Sequence, residues 1–163
     1  MGYGKMSIVK VREYFREFRM ENRILEFPVS SATVQLAAEA LHCEPARIAK
    51  TLSLMQPSSP ILIVAAGDTR IDNAKYKSRF QVKAKMLRQE EVEALIGHAV
   101  GGVCPFAVNP GIPVYLDISL KRFRTVFPAC GSPNSAIELS IEELELYSRS
   151  SGWVDVCKDW GGD

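Results

Sequence analysis

The sequence predicts an α+β fold, a central mixed β-sheet or partial barrel flanked by short helices. Three observations carry this. Helical and strand periodicities are interleaved along the chain. They do not follow the strict alternation of a doubly wound parallel sheet. One strand candidate, Ile61–Ala66, is apolar at every position, as a strand covered on both faces would be. At 163 residues the chain fits one domain spanning residues 1–163. A chain of that size buries about 68–70% of its unfolded surface, enough for a core without staples.

The elements follow in order. Ser7 to Met20 places Ile8, Val11, Phe15 and Phe18 at helical spacing among charged residues, which makes an amphipathic helix. Ile24–Val29 reads as a short strand, and Ser30-Ser31 as the N-cap of a helix over about Ala32–Leu41. Pro45 suits the first turn of a short helix, Glu44–Ile48. Lys50–Met55 and Ile61–Ala66 flank a Pro- and Ser-rich turn and predict a hairpin. Asp72 caps a helix through Lys75 and Ser78, and Glu90–Ile96 is a helix stopped by Gly97. Val114–Leu116, Thr125–Ala129 and Ala136–Leu139 read as strands. Ser140 and Glu143 form a capping box opening a helix to about Ser148, and Trp153–Val156 is a last strand.

Composition narrows the function. Twenty basic and nineteen acidic residues leave a net charge of +1, which argues against a partner such as duplex DNA, where many phosphates must be neutralised. A local pocket for a few phosphates remains open. The longest unbroken apolar run is Ile61–Ala66, against the roughly 20 residues a membrane span needs. The first residues carry charges throughout with no apolar stretch, so no secretory signal is expected and the expected compartment is the cytoplasm. Cys43, Cys104, Cys130 and Cys157 form no C-x-x-C pair, and only His42 and His98 are available to complete a site. Neither a metal centre nor a cofactor is expected; reduced, mostly buried thiols are.

Three segments carry candidate chemistry. In Arg47–Leu54, Lys50 sits where a helix turns into a strand between core-like neighbours. A lysine anchored this way reaches a phosphate or a polarised oxygen, or is simply a solvated residue at an element boundary. In Val100–Phe106, Gly101 and Gly102 permit positive φ and close backbone approach, while Pro105 holds Cys104 extended. Such a loop either aims several N–H groups at one point, as an oxyanion hole does, or is a tight turn. Cys104 is a nucleophile only if a base or positive setting activates it. The third segment, Phe127–Asn134, reads by itself as a hairpin loop.

At these segments the chain resembles the YbaK/EbsC-type proteins, relatives of the editing domain inserted in bacterial prolyl-tRNA synthetases. The matching residues are Ala46–Thr51, Asp72 with Lys75, Gly101–Phe106, Asp117–Leu120, and Gly131 followed by Ile137-Glu138-Leu139. They stand in the family's order over roughly Val9 to Val156. The resemblance implies a hydrolase that acts in trans on mischarged tRNA and cleaves the ester of the wrong amino acid, with no metal and no cofactor. By the same resemblance, Lys50 holds the terminal adenosine through its phosphate or sugar. Gly101 and Gly102 open a G-x-x-x-P stretch whose backbone N–H groups meet the ester and the attacking water. Phe27, Thr51, Cys104, Pro105, Ala129 and Gly131 would bind substrate. The partner implied is the acceptor end of aminoacyl-tRNA, with a tRNA synthetase as a second candidate partner.

The chain departs from the family pattern at Ala107, at Ala129-Cys130 where cysteine-specific relatives show Ser-Ala, and at Ala136 in place of an acidic residue. These changes fall at the pocket and point to a different or more apolar side-chain specificity. An aminoacyl ester is already activated, so a positioned water and fixed dipoles suffice without a protein nucleophile. Two other readings stand beside the deacylase: a module that binds aminoacyl-tRNA or a nucleotide-like ligand without turnover, and a thiol enzyme using Cys104.

Overall fold

The computed structural model describes residues 3–28 and 33–160. Five short helices surround a curled, half-barrel sheet of six strands, with two small strand pairs beside it. The fold is α+β, as the sequence predicts.

The central hairpin sets the frame. β2 (Ile48–Leu54) and β3 (Ile61–Ala66) pair antiparallel over six residues, from Ala49↔Ala66 to Leu54↔Ile61. All six residues of β3 are buried, and period-2 alternation divides them. Leu62, Val64 and Ala66 enter the main core with Val11 and Phe15 of α1 (Tyr3–Arg16). Ile61, Ile63 and Ala65 enter a second core with Tyr76 of α3 (Asn73–Phe80). Covering both faces is what lets an uninterrupted apolar run be a strand. β5 (Val114–Asp117) and β9 (Gly152–Val154) extend this side in parallel. β6 (Thr125–Pro128) joins the other side of β2 in parallel, but only at Ile48↔Phe127 and Ala49↔Pro128.

Several element boundaries differ from the sequence reading. α1 ends at Arg16, not Met20: Phe18 and Met20 donate their N–H groups back to the Phe15 carbonyl, and Arg19 takes φ +60°. α2 (Val34–Leu41) is capped by Thr33, whose hydroxyl accepts from Leu36 N–H at 3.1 Å; Ser30, Ser31 and Ala32 lie outside the described residues, as does Val29, the last residue of the strand read from Ile24, which in the structure is β1 (Ile24–Glu26). The predicted strand Ala136–Leu139 is two. β7 (Ser135–Ile137) pairs with β1, and β8 (Leu139–Ser140) pairs with β6. Glu138 between them turns outward, and its carboxylate receives Thr125 Oγ1 at 2.6 Å and Arg47 at 3.2 Å. The predicted last strand, Trp153–Val156, is shorter than read. Its strand pairing ends at Val154 in β9, and a further strand beyond it, β10 (Cys157–Lys158), pairs with β4 (Arg70–Ile71), which is too short for any period to show.

The other caps form as read. Asp72 accepts from Lys75 N–H at 3.0 Å at the start of α3. Gly97 adopts φ +101° after α4 (Gln89–Ile96), and Ser140 with Glu143 caps α5 (Ile141–Tyr147) reciprocally. Asp117 is fully buried, with its carboxylate accepting from Ser119 N–H at 3.0 Å and Val156 N–H at 2.9 Å. Two charge-assisted bonds make that burial tolerable and tie the end of β5 to the C-terminal strands.

Candidate active site

Adjacent residues of a strand turn their main-chain groups to opposite neighbours. In β2 the ladder with β6 stops at Ala49↔Pro128. Contact on that side resumes only where Ser53 O accepts from Leu87 N–H at 3.0 Å and Met55 N–H donates to Lys85 O at 2.8 Å. The odd-numbered residues therefore face away from β3, and Thr51 sits in the gap. Its main-chain N–H and C=O meet no strand. Its side-chain Oγ1 is buried and also unpartnered among the described residues.

The gap opens into a cavity of about 320 Å³. Val34, Ala37 and Leu41 of α2 form one wall, with Met86, Leu87 and Val92 opposite. The glycine loop enters through Val100, Gly101 and Val103, and Phe127, Ala129 and Ala136 complete an apolar surface. Polar side chains besides Lys50 are few: the hydroxyls of Thr33, Thr51, Ser53, Ser132 and Ser135 and the Gln89 amide, with no carboxylate on the wall. Ser132 Oγ donates to Ser135 Oγ at 2.8 Å.

The glycine loop divides its labour. Gly102 N–H is consumed by Ala99 O at 3.0 Å, closing a turn. Gly101 (φ +91°) and Val103, both on the cavity wall, keep main-chain N–H groups without an acceptor among the described residues. Gly102 is a site of close approach instead: a Cβ there would stand 2.5 Å from Gly131 O. Gly131, at φ +95°, is pressed in turn against Ser7 of α1. The two glycine loops thus support each other behind the wall.

Of the residues singled out from sequence, Lys50, Thr51, Gly101 and Ala129 line the cavity. Gly102, Pro105 and Gly131 do not; the two glycines back each other behind it, and Pro105 is buried. Phe27 packs against Phe127 and Ala136 from outside, held by Asn134 through bonds of 2.8 and 2.9 Å. Lys50 belongs to the wall through its place in β2, but its side chain leaves on the other face. It is opposite Ala65, in the second core, and its amine donates to the Thr69 carbonyl. Burial pulls this ammonium below its usual pKa, while Cys157 and Asp68 act in the opposite sense. Alternation explains the placement: Lys50 and Thr51 are neighbours in sequence and cannot share a face.

Cys104 is fully buried and off the wall, and burial pushes its thiol up to about 12. His98 Nε2 lies 2.6 Å from Phe106 O and 3.5 Å from Cys104 Sγ. A carbonyl can only accept, so Nε2 carries the proton and cannot act as base toward the thiol. Burial also drives His98 down to about 4. The thiol-enzyme reading loses both its base and its access.

Sequence reasoning missed α2, Met86–Val92 and Ser135, the partner of Ser132, as parts of the site. They come from three distant stretches, and no local spacing marks them. Among the described residues no three His, Cys, Asp or Glu side chains gather as a metal site, and no helix is long and apolar enough to cross a membrane.

Comparison with known proteins agrees with this architecture. The chain is 54% identical over 156 residues to the uncharacterized protein YwhH of Bacillus subtilis (strain 168), covering 95% of this chain and 99% of that one. A solved structure described as a candidate trans-editing enzyme for prolyl-tRNA synthetase superposes with a TM-score of 0.84 at 27% identity, over 93% of this chain and 97% of that one. The hypothetical protein APE2540 superposes at 0.80 and 28% identity, over 91% and 99%. The family model for the aminoacyl-tRNA editing domain matches residues 29–146, nearly the whole of the sheet and every wall of the cavity. The chain belongs to the aminoacyl-tRNA editing-domain family.

Proposed function

We propose that the protein is a trans-acting deacylase that hydrolyses the ester of mischarged tRNA. The observation that carries this is the interrupted edge of β2. Thr51 N–H, Thr51 Oγ1, Gly101 N–H and Val103 N–H all border one cavity and all lack partners among the described residues. Of these, Thr51 Oγ1 is buried; an unmet buried polar group costs about 1–3 kcal/mol, so a ligand that supplies its partner recovers it, while the Gly101 and Val103 N–H groups stand ready at the more open side of the loop.

The aminoacyl group enters with its side chain against Val34, Ala37, Phe127 and Ala136. With no carboxylate on the wall and the Lys50 amine on the other face of the sheet, the fitting side chain is uncharged. Water attacks the ester carbonyl carbon. The carbonyl oxygen becomes an oxyanion facing the free Gly101 and Val103 N–H groups, which are held in place before reaction. The carbon–oxygen bond to the ribose then breaks, the ribose oxygen takes a proton, and free amino acid and tRNA leave. No protein nucleophile is used, since the ester is activated and positioning supplies the rate. Gly102 serves as support in this scheme, not as an oxyanion donor.

Lys50 holds the terminal adenosine at the rim by leaving the Thr69 carbonyl and reaching round the open edge of β2. The acceptor end is the part of the tRNA bound, whether or not a synthetase delivers it. The test is deacylation of a panel of mischarged tRNAs. Lys50→Ala should lower kcat/KM by about 10- to 100-fold, the worth of one charge-assisted contact, while the melting temperature is kept. Unchanged turnover would remove the lysine's role. Saturable binding of charged tRNA with no hydrolysis by the wild type would replace the enzyme with a binding module.

A further inference from the structure

We infer that the strip from α3 through residue 88 is a docking surface for RNA phosphates, along which the acceptor stem lies when its 3′ end enters the cavity. The inference rests on the deacylase reading and adds where the rest of the tRNA goes.

Charge segregation is the first observation. Asn73–Gln89 carries six cations and no carboxylate. The rest of the chain holds fourteen basic against nineteen acidic residues, so the near-zero net charge conceals a basic tract on an acidic body. Three of the six cations are engaged: Lys75 with Asp155 at 3.0 Å, Arg88 with Glu91 at 3.3 Å, and Arg79 over the rings of Phe80 and Tyr115. The other three, Lys77, Lys83 and Lys85, are exposed and make no ion pair among the described residues. Lys77 and Lys83 line one open concavity of about 460 Å³ with Asn73, Ala74 and Ala84.

Continuity with the cavity is the second. Lys85 O and Leu87 N–H are bonded to Met55 and Ser53, and Met86 bridges to Leu54. The strip is therefore fixed to the end of β2, and Met86 and Leu87 pass from it into the cavity wall. Met86 follows Lys83 by three residue steps of extended chain, about 10 Å. Glu90 and Glu91 at the start of α4 border the strip on its other side and repel phosphate there, so the stem runs toward α3. The exposed side chains are overwhelmingly lysine, arginine and small or amide-bearing polar groups, with Met86 the one large apolar group. That suits a polyanionic backbone better than an apolar protein face.

The test is binding of an uncharged tRNA transcript, read by fluorescence anisotropy between about 50 and 200 mM salt. The combined variant Lys77→Gln, Lys83→Gln, Lys85→Gln should bind more weakly at low salt. Its log–log salt slope should be shallower by about 2–3, at about 0.7–0.9 for each of three lost phosphate contacts. A control variant with Lys121→Gln, Arg124→Gln and Arg149→Gln should keep the slope. In turnover, the strip variant should raise KM for charged tRNA and leave hydrolysis of an aminoacyl-adenosine unchanged. Equal slopes in wild type and strip variant overturn the inference, as does no RNA binding by the wild type. Competition by polyglutamate as strong as by RNA also overturns it, in favour of an acidic protein partner. Strip-dependent RNA binding with no ester hydrolysis by the wild type would instead sink the deacylase reading and leave the docking surface standing.

Discussion

The two edges of β2 make an instructive pair. Toward β3 the strand is paired at six consecutive positions, and β3 itself is buried on both faces. Toward β6 it is paired at two, then open across Thr51, then tied again through Ser53. The same seven residues thus serve as scaffold on one side and as site on the other. The closed edge makes the open one usable, because an unsatisfied strand edge keeps its geometry only when the strand is held elsewhere. The glycine loop repeats the pattern on a smaller scale. Gly101 and Val103 keep free N–H groups at the cavity. Behind them His98 Nε2 and the Cys104 thiol converge on the Phe106 carbonyl in a buried core, where His98 Nδ1 has no partner among the described residues.

The largest effect should come from breaking the support between the two glycine loops. Gly102→Ala puts a methyl group 2.5 Å from Gly131 O, and Gly131 has α1 directly behind it. Backbone cannot yield as a side-chain tip can, so the cost should reach about 3 kcal/mol. That corresponds to a melting temperature lower by about 6–12 °C. Deacylation should fall at least about 100-fold, since displacement of the Gly101 and Val103 donors by about 1 Å suffices for that. A variant that melts with the wild type and turns over normally would show that the loops are independent.

The sequence shows the closed side of this comparison better than the open side. Ile61–Ala66 is legible as a strand covered on both faces because every residue is apolar, and the hairpin follows from the turn between its strands. The caps at Asp72, Gly97 and Ser140 are legible because each depends on one residue at a fixed offset. The open edge is a property of where β6 diverges, which depends on Pro128, Ala129 and a loop 80 residues away from Thr51. Lys50 shows the limit most clearly. Its type and position point to anion binding, but only the register with Ala65 shows which face its amine leaves by. Asp117 carries no local sign that it is a buried anchor, because its donors are Ser119, close by, and Val156, far along the chain.

The dry side of the glycine loop predicts a pH dependence. His98 is fully buried and held neutral, its pKa lowered from 6.5 to about 4. The unfolded chain binds the proton more readily, so this contribution is fully present above about pH 6.5 and is lost as pH falls through about 4. Its size is about 3 kcal/mol. Denaturant unfolding across that window should show the loss, and the imidazole resonances of His98 should titrate near 4. Glu143, held at about 2 by Arg23, loses its share only at lower pH, below the ordinary 4.5. A His98 titrating at its ordinary value would mean that water reaches the loop from behind. In the same core, Cys104→Ala should cost about 1–2 kcal/mol for a small void. It should leave deacylation within about twofold, a change worth well under 1 kcal/mol in the barrier. Loss of activity, or protection from alkylating agents by substrate, would return the thiol to the mechanism.

The smallest effect separates a family motif from the site it accompanies. Asp72 and Lys75 recur with the glycine loop in the family pattern, and both lie away from the cavity wall. Asp72 accepts from Lys75 N–H as the cap of α3, and the Lys75 amine bonds Asp155 and Cys157 O. Their work is to hold α3 against the C-terminal strands, on the closed side of the sheet. Asp72→Ala should therefore cost about 1 kcal/mol, the usual worth of a lost N-cap. That is a fall of about 2–4 °C in melting temperature for a chain of this size. Deacylation at a temperature well below the transition should be unchanged. A drop in kcat beyond about threefold in a folded Asp72→Ala protein would mean that α3 reports to the open edge, and the division of β2 into scaffold and site would have to be redrawn.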